Sequence, residues 1–600
     1  MIWKNTGKMK RATTLPIVLF IHLLLFSINT MAQAKPDEYK TQWKKIDDLI
    51  EKGLTKTAIT EIKKIYTLAK KENNDAQLIK TLMFQSMLSE QIDENAGINS
   101  IKEMEQEAAV AKQPSKSLLQ SMTAQLLWNY FQNNRWRLYD RTNTENFKKE
   151  DIATWGAEDF HKKISALYLA SISEIKLLQS SKPEPFDAII QTYGYRYLRS
   201  SLYDFLAHRA LDYFTNDERD VNKAAYQFTI KQPEAFADAN EFVKASFKTK
   251  DTASLYYKAI IIFQQLSSFH LKDAKADALI DLEINRLQFM HNHAVMEEKE
   301  KLYEQSLQRL SKKYAEDSAA AQASYLLASV YNGKGEQYNP FTKKDVQYEK
   351  KRAKEICEAV IAKFPKSEGG INCKALLSEI NSKSFTVTTE KVNVIGQPFR
   401  MLLNYKNISK LYFRLIKTTK EELKRIDINN LNDDNIWKKV LSLKSVREWN
   451  EFLPDLKDYQ SHTAEAKVDA LPTGLYILLA SETPNFSLKE NMLALHTAYV
   501  SNIGFIQNNK GEYYVLNRET GYPLVNAKIQ VWERKYDYQR SEYNEDKKEQ
   551  LATDKNGYIR IKSDNDGRNI MLEISHEKDY LFLDDDYYIS REYKPQQQPT

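Results

Sequence analysis

Nine histidines and two cysteines are the side chains of this 600-residue chain best suited to nucleophilic or metal chemistry, and their spacing limits what they can do. His291 and His293 stand two apart, with Glu297 and Glu298 just beyond. Helical neighbours two apart point to different faces, so the two imidazoles do not converge. His293 and Glu297 share a face, but two ligands fall short of the usual zinc set. The segment reads as a solvated helix face, with no metal site. His208 lies in an apolar helical run beside Arg209 and near Asp204, and reads as a packing histidine whose ring is satisfied. Cys357 (ICEAV) and Cys373 (NCKAL) lack the basic surroundings that lower a thiol pKa. HExxH, GxSxG and GxxxxGK[ST] are absent, and no carboxylates stand at hydrolase spacing. Asp584, Asp585 and Asp586 run consecutively, and without a turn three successive carboxylates on a strand cannot close on one calcium ion. They read as a surface or edge-strand feature. The expectation is a chain without catalytic residues or cofactor.

The elements that carry these residues change character along the chain. Residues 1–34 have the form of a secretory signal. Basic Lys8, Lys10 and Arg11 precede the apolar run Leu15–Phe26, and Ala32-Gln33-Ala34 supplies an A-x-A cleavage site. The run is too short for a bilayer span and His22 interrupts it. Cleavage after Ala34 is expected, giving an exported, soluble protein of the periplasm or cell envelope. Lys4, Lys8, Lys10 and Arg11 leave with the signal, so the 87 basic side chains fall to 83 against 81 acidic ones. That balance, with Lys and Glu interspersed, argues against a nucleic-acid partner.

From 35 to 383 the apolar residues recur at helical spacing. Tyr303, Leu307, Leu310 and Tyr314 form one stripe, and Ala353, Ile356, Val360 and Phe364 another. Such stripes bury nothing alone and call for neighbouring helices, hence an α-solenoid of stacked pairs. The segments 312–331 and 362–380 repeat one pattern: an aromatic closes a helix, a short polar turn follows, and small residues open the next helix. They resemble tetratricopeptide repeats, with the period of about 34 residues lengthened by the polar insert 332–345. Cys357 and Cys373 fall on consecutive antiparallel helices at similar distances from the turn near Pro365–Gly370. They can form a disulfide in an oxidising compartment or remain two buried thiols.

After Ser382 the texture turns to β. Segments 384–390, 399–404 and 410–417 are strand-like, 418–460 reads as a charged helical or irregular insertion, and 463–468, 475–480 and 493–500 are strands again. Residues 384–501 thus form one antiparallel β-sandwich and 502–593 a second, with 594–600 as a linker. In the second, Gly521 and Gly557 permit turn conformations closed to other residues, and Asp554 can bond nearby amides. The fold class is multidomain α + β: a helical array followed by antiparallel sandwiches.

Three helical segments, WNYFQNNRWRLYDRT (128–142), DIATW (151–155) and LRSSLYDFLAHRALDYF (198–214), resemble the helical N-terminal region of large bacterial alpha-2-macroglobulin-like proteins. The run holding Tyr203, Asp204, His208 and Arg209 is the most specific. Leu471-Pro472-Thr473-Gly474-Leu475-Tyr476 is similar to the late-strand motif of macroglobulin domains, which are seven-stranded sandwiches. The TGxPLxxAxIxV…TDxxGxI pattern around Gly521 and Asp554 also resembles the carboxypeptidase-regulatory sandwich. The resemblance implies a non-catalytic endopeptidase inhibitor, a protease trap that closes on its target after cleavage of a bait segment lying elsewhere. Proteases are then the expected partners. Family members with a thioester carry C-x-E-Q, which neither cysteine here matches. The alternative is an exported helical-repeat adaptor binding a protein partner through exposed aromatics such as Trp128, Trp136 and Tyr139. The resemblance also implies further domains beyond Thr600.

Overall fold

The computed structural model describes residues 38–139, 151–190, 196–217, 226–428, 431–508, 511–539, 542–562 and 567–590. The signal segment with Ala32 and Ala34, and the 594–600 linker, lie outside the described residues. The chain divides into two units, residues 1–300 and 301–600.

The first unit is an array of helices, most of them packed on the next in sequence. It begins with α1 (Glu38–Glu51), α2 (Thr55–Glu72), α3 (Asp75–Ser89), α4 (Ala96–Val110) and α5 (Ser115–Tyr139). There follow α6 (Ala157–Ser171), α7 (Ile175–Ser180), α8 (Leu202–Phe214), α9 (Ala239–Phe242), α10 (Leu255–His270) and α11 (Asp277–His293). Polar side chains start several of them by accepting from the first unpaired amides: Asn74 from Gln77 N, Ser201 from Asp204 N, and Ser254 from Tyr257 N. The apolar stripes meet between helices; Trp43, Ile46, Ala58, Ile62, Ile65 and Leu88 join α1, α2 and α3 in one cluster.

At the start of the second unit are α12 (Lys299–Lys313), α13 (Ala321–Glu336), α14 (Glu349–Lys363) and α15 (Glu368–Asn381). Tyr303, Leu307 and Leu310 are buried as their spacing requires. The second stripe is rotated from its expected position: Ala353, Cys357 and Val360 are buried, whereas Ile356 is only half-buried. Small residues allow α13 and α15 to touch by their backbones, since a Cβ on Gly369 would lie 2.1 Å from the Ala321 carbonyl carbon. Cys357 and Cys373 are both fully buried free thiols, close enough for one to hydrogen-bond the other across α14 and α15.

The change to β falls at Ser384. The first sandwich faces a sheet ordered β1-β3-β6 against one ordered β2-β8-β7-β4-β5. Its strands are β1 (Ser384–Thr388), β2 (Val392–Asn393), β3 (Phe399–Lys406), β4 (Lys410–Thr418), β5 (Arg447–Phe452), β6 (Ser461–Val468), β7 (Gly474–Ser481) and β8 (Leu493–Val500). All but the two-residue β2, which pairs parallel to β8, are antiparallel. The expected insertion 418–460 holds two short helices, α16 (Lys420–Ile426) and α17 (Asp434–Leu441), and also strand β5, which the sequence reading missed. β7 is buried along nearly its whole length because Tyr476, Leu478 and Ala480 face the sandwich core while Leu479 meets Ile436 and Val440 of α17.

The second sandwich sets β13-β10-β9 against β12-β11-β14-β15, with β16 also on β14. Its strands are β9 (Ile503–Gln507), β10 (Glu512–Asn517), β11 (Lys528–Asp537), β12 (Glu542–Ala552), β13 (Tyr558–Arg560), β14 (Arg568–His576), β15 (Asp579–Phe582) and β16 (Tyr587–Ile589). Its apolar cluster takes in Val392, Leu475 and Tyr499 from the first sandwich. Each carboxylate of the acidic run meets a different cation: Asp584 lies 2.6 Å from Lys420, Asp585 2.6 Å from Lys391, and Asp586 3.2 Å from Arg534. Two of those cations belong to the first sandwich, so the run fastens one sandwich to the other.

Replacing Gly369 by Ala is expected to cost about 1–3 kcal/mol, because the added methyl overpacks a backbone contact that cannot rotate away. Thermal melting of the variant against the parent chain measures it.

Candidate functional site

Helix α8 carries the sequence motif YDFLAHRALDYF, and its buried face is pinned by charge as well as by apolar packing. Tyr203, Leu206, Ala207 and Ala210 are fully buried. The Tyr203 hydroxyl donates to Gln265 Oε1 of α10 at 3.2 Å, and burial pushes its phenol above the usual range. Asp204 has no exposure and meets His270 of α10, Nε2 to Oδ1, at 3.0 Å. The other nitrogen of His270 faces Asp273 Oδ2 at 2.7 Å. A ring whose two nitrogens both face carboxylates carries both protons. Burial alone would drive one proton off, but hydrogen bonds and charge from Asp204 and Asp273 outweigh it and raise the His270 pKa.

His208 shares the same carboxylate but meets the opposite fate. Its Nδ1–H donates to the Asp204 carbonyl at 2.9 Å. Burial, then the neighbouring Arg199 charge, bring its pKa down to about 3, so the ring is neutral. The sequence reading expected a satisfied ring; Nε2 is instead buried without a hydrogen-bond partner among the described residues. Arg209, next along the helix, donates from Nε to Ser121 Oγ of α5 at 3.0 Å.

His208 and Arg209 line a groove of about 670 Å³, within the range of ligand-holding pockets. Both α8 and α11 pack on α10, whose buried Phe263 also lines the groove. One wall is the α8 face bearing Phe205, His208, Arg209 and Asp212, at helical spacing. The other is the α11 face bearing Asn285, Gln288 and Asn292. Arg199 also lines the groove and is held by Asp281 of α11 at 2.8 Å. Burial raises the Asp212 pKa, while the Arg209 and Arg199 charges pull it back. Beneath the α11 wall, Arg286 is buried in a fork with Glu283 (2.9 and 2.6 Å) and donates to the carbonyls of Ala235 and Ala237.

The remaining motif residues serve corners of the second unit. The Tyr476 hydroxyl donates to the Pro472 carbonyl at 2.9 Å, a tyrosine corner, with Leu471 buried beside it. Gly474 lies at φ +156 and its Thr473 neighbour donates to Asp579 of the second sandwich at 2.8 Å. Asp554 Oδ1 accepts from the amides of Asn556 and Tyr558, both at 2.8 Å, around Gly557, whose φ is +71; Gly521 has φ +72. Trp128 packs against Phe131, His161 and Tyr213, so it does not join an exposed aromatic face with Trp136. His291 pairs with Glu300 at 2.8 Å, and His293 lies against the rings of Tyr256 and Phe289. Among the described residues no three His, Cys, Asp or Glu side chains form a metal-binding group, and no helix is long and apolar enough to cross a membrane.

The two histidines give stability opposite pH limbs. His270 has a raised folded pKa, so its contribution is complete below the unfolded value of about 6.5 and is lost as pH rises through the folded value. His208 has a depressed one, so its contribution is complete above about 6.5 and is lost as pH falls toward 3. Denaturant titrations from pH 4 to 9 should therefore show stability falling on both sides, with His270→Gln flattening the alkaline limb and His208→Gln the acid one. His270→Gln should also cost about 3–5 kcal/mol near neutral pH by leaving Asp204 buried and unpaired.

No family profile matches the chain, and no curated protein does. Among solved structures, it is similar to native alpha-2-macroglobulin from Escherichia coli spanning domains NIE-MG1, at 11% identity and TM-score 0.23, over 34% of this chain and 97% of that one. It is also similar to the same protein spanning domains MG0-NIE-MG1, at 11% identity and TM-score 0.24, over 34% of this chain and 64% of that one. The resemblance is distant and reaches about a third of the chain.

Proposed function

We propose that this chain is the N-terminal scaffold portion of an exported alpha-2-macroglobulin-like endopeptidase inhibitor and is itself non-catalytic. The observation that carries the reading is the conjunction, in one chain, of the YDFLAHRALDYF helix with tandem sandwiches. The first of these has seven strands of five residues or more and is closed by the Leu471–Tyr476 tyrosine corner. A trap that shuts by releasing strain needs parts that stay rigid while others move. The apolar cluster common to both sandwiches and the Asp584 and Asp585 ion pairs across them suit that role. Buried charged groups of α8, α10 and α11 pair with one another, Asp204 Oδ1 with His270 and Glu283 with Arg286, although Asp204 Oδ2 has no hydrogen-bond partner among the described residues. Export rests on the signal segment, and proteases are the partners, engaged by parts of the inhibitor outside these residues. In the oxidising compartment that export implies, the paired Cys357 and Cys373 thiols close to a disulfide.

A second reading, an exported adaptor for a protein partner, draws its support from the groove between α8 and α11.

The trap is tested with the full-length gene product and a set of endopeptidases. Cleavage of casein should fall severalfold while hydrolysis of a small chromogenic peptide continues, because a caged enzyme still admits small substrates. Equal rates on casein with and without the product would sink the reading. Export is tested on protein recovered from the periplasm, unfolded without reductant: neither cysteine should take up a maleimide label, and two labels would show the thiols remain free.

A further inference from the structure

We propose that the loop between β5 and β6, residues 453–460, is a clasp that holds helices α12–α15 on the first sandwich and can open while both parts stay folded. Two side chains make the grip. Gln460 is buried, and its Nε2 donates to the Gly335 carbonyl in the last turn of α13 at 2.9 Å and to the Gln347 carbonyl just before α14 at 3.1 Å. One amide group thus spans both stems of the segment that joins the two helices. Asp458 is buried in the same loop. Its Oδ2 accepts from Gln347 Nε2 at 2.8 Å, and its Oδ1 accepts from the Gln460 backbone amide at 3.1 Å and meets His462 Nε2 of β6 at 2.9 Å. The root of the loop belongs to the sandwich, because Leu453 lies in its core and the Tyr405 hydroxyl donates to the Pro454 carbonyl at 3.0 Å.

Three features make this a joint that opens. The first is its chemistry. The apolar core of the first sandwich is built from residues 385 onward, and the helices contribute none of its members, so the grip is hydrogen-bonded and not an extension of that core. Donors and acceptors parted from one another re-bond to water, whereas the apolar cluster common to the two sandwiches has no such recourse. The second is strain. Lys457 and Tyr459, on either side of Asp458, hold φ of +55 and +62, left-handed backbone that side chains other than glycine's occupy at a cost. Opening lets both relax. The third is a pivot. Asn407, in the β3–β4 turn, donates through Nδ2 to the carbonyls of Ile380 and Ser382, both at 2.8 Å, where the chain passes from α15 into β1. That contact sits at the covalent crossing and persists when the clasp parts, so the helices swing about it as a hinged body. The device is independent of the inhibitor reading, since it gives α12–α15 a second position on the first sandwich whatever the chain binds.

The test uses the full chain with spin labels on a ketone-bearing amino acid placed at two exposed positions, Lys366 in the α14–α15 turn and Glu465 on β6. Pulsed electron–electron resonance should give one narrow distance in the parent. Gln347→Ala with Gln460→Ala removes three hydrogen bonds and should raise the ratio of open to closed forms about a hundredfold, seen as a broad second distance population. Deuterium protection of α14, α15, β3 and β7 should stay as in the parent. Adding Lys457→Asn, which takes up left-handed backbone more readily, should lower the ratio severalfold in the same background. A single narrow distance in the double variant, protection lost throughout the helices or the sandwich, or no effect of Lys457→Asn would each overturn the proposal.

Discussion

Asp204 is a carboxylate with no access to water, and the helical unit is organised around answering it. An ionised carboxyl in a protein interior is tolerated only with a counter-charge and hydrogen bonds in good geometry. Here the counter-charge is the His270 imidazolium, held on its far side by Asp273. That arrangement sets the distance and rotation of α8 against α10. α11 then packs on α10, and the Glu283–Arg286 fork ties it to the carbonyls of the segment at Ala235 and Ala237. The groove is lined by faces of α8 and α11, both of which pack on α10. The unpartnered acceptor on His208 traces to Asp204 as well, because the Asp204 carbonyl takes the His208 Nδ1 proton and leaves the opposite nitrogen bare.

How much of this could be read from the chain varies with the physics of each element. The switch from helix to strand was legible at Ser384, where β-branched and aromatic residues replace the stripes of α12 to α15. β4, β7 and β8 were legible within a residue, since central strands are apolar. β5 (REWNEF) was not, and β12 (EYNEDKKEQLA) went unremarked. Both are sheet edges, and edges carry charge to discourage pairing with other chains, which hides them from a search for apolar alternation. The rotated stripe of α14 has a simpler cause: Cys357 behaves as a small hydrophobe and takes the position that spacing alone had assigned to Ile356.

The candidate site divides in the same way. Helix α8 was visible by its motif, and the burial of Tyr203 and Asp204 agrees with its apolar company. The partner of Asp204 was not visible, because His270 lies 66 residues further on and nothing local marks it. The α11 wall did leave a trace. Asn285, Gln288 and Asn292 recur at three and four residues, a polar stripe beside an apolar one on a helix whose other faces are buried. Attention to polar periodicity, and not only to apolar periodicity, would have found it.

The core that spans the two sandwiches bears on how load passes through the chain. Val392, Leu475 and Tyr499 of the first sandwich belong to the apolar cluster of the second, and the Tyr499 hydroxyl donates to the Phe582 carbonyl at 2.7 Å. Bending between the sandwiches must open that cluster to water, so the junction resists as a stiff strut and not as a hinge. Torque applied at one sandwich is delivered to the other with little lost to flexing, and the pair acts as one lever arm.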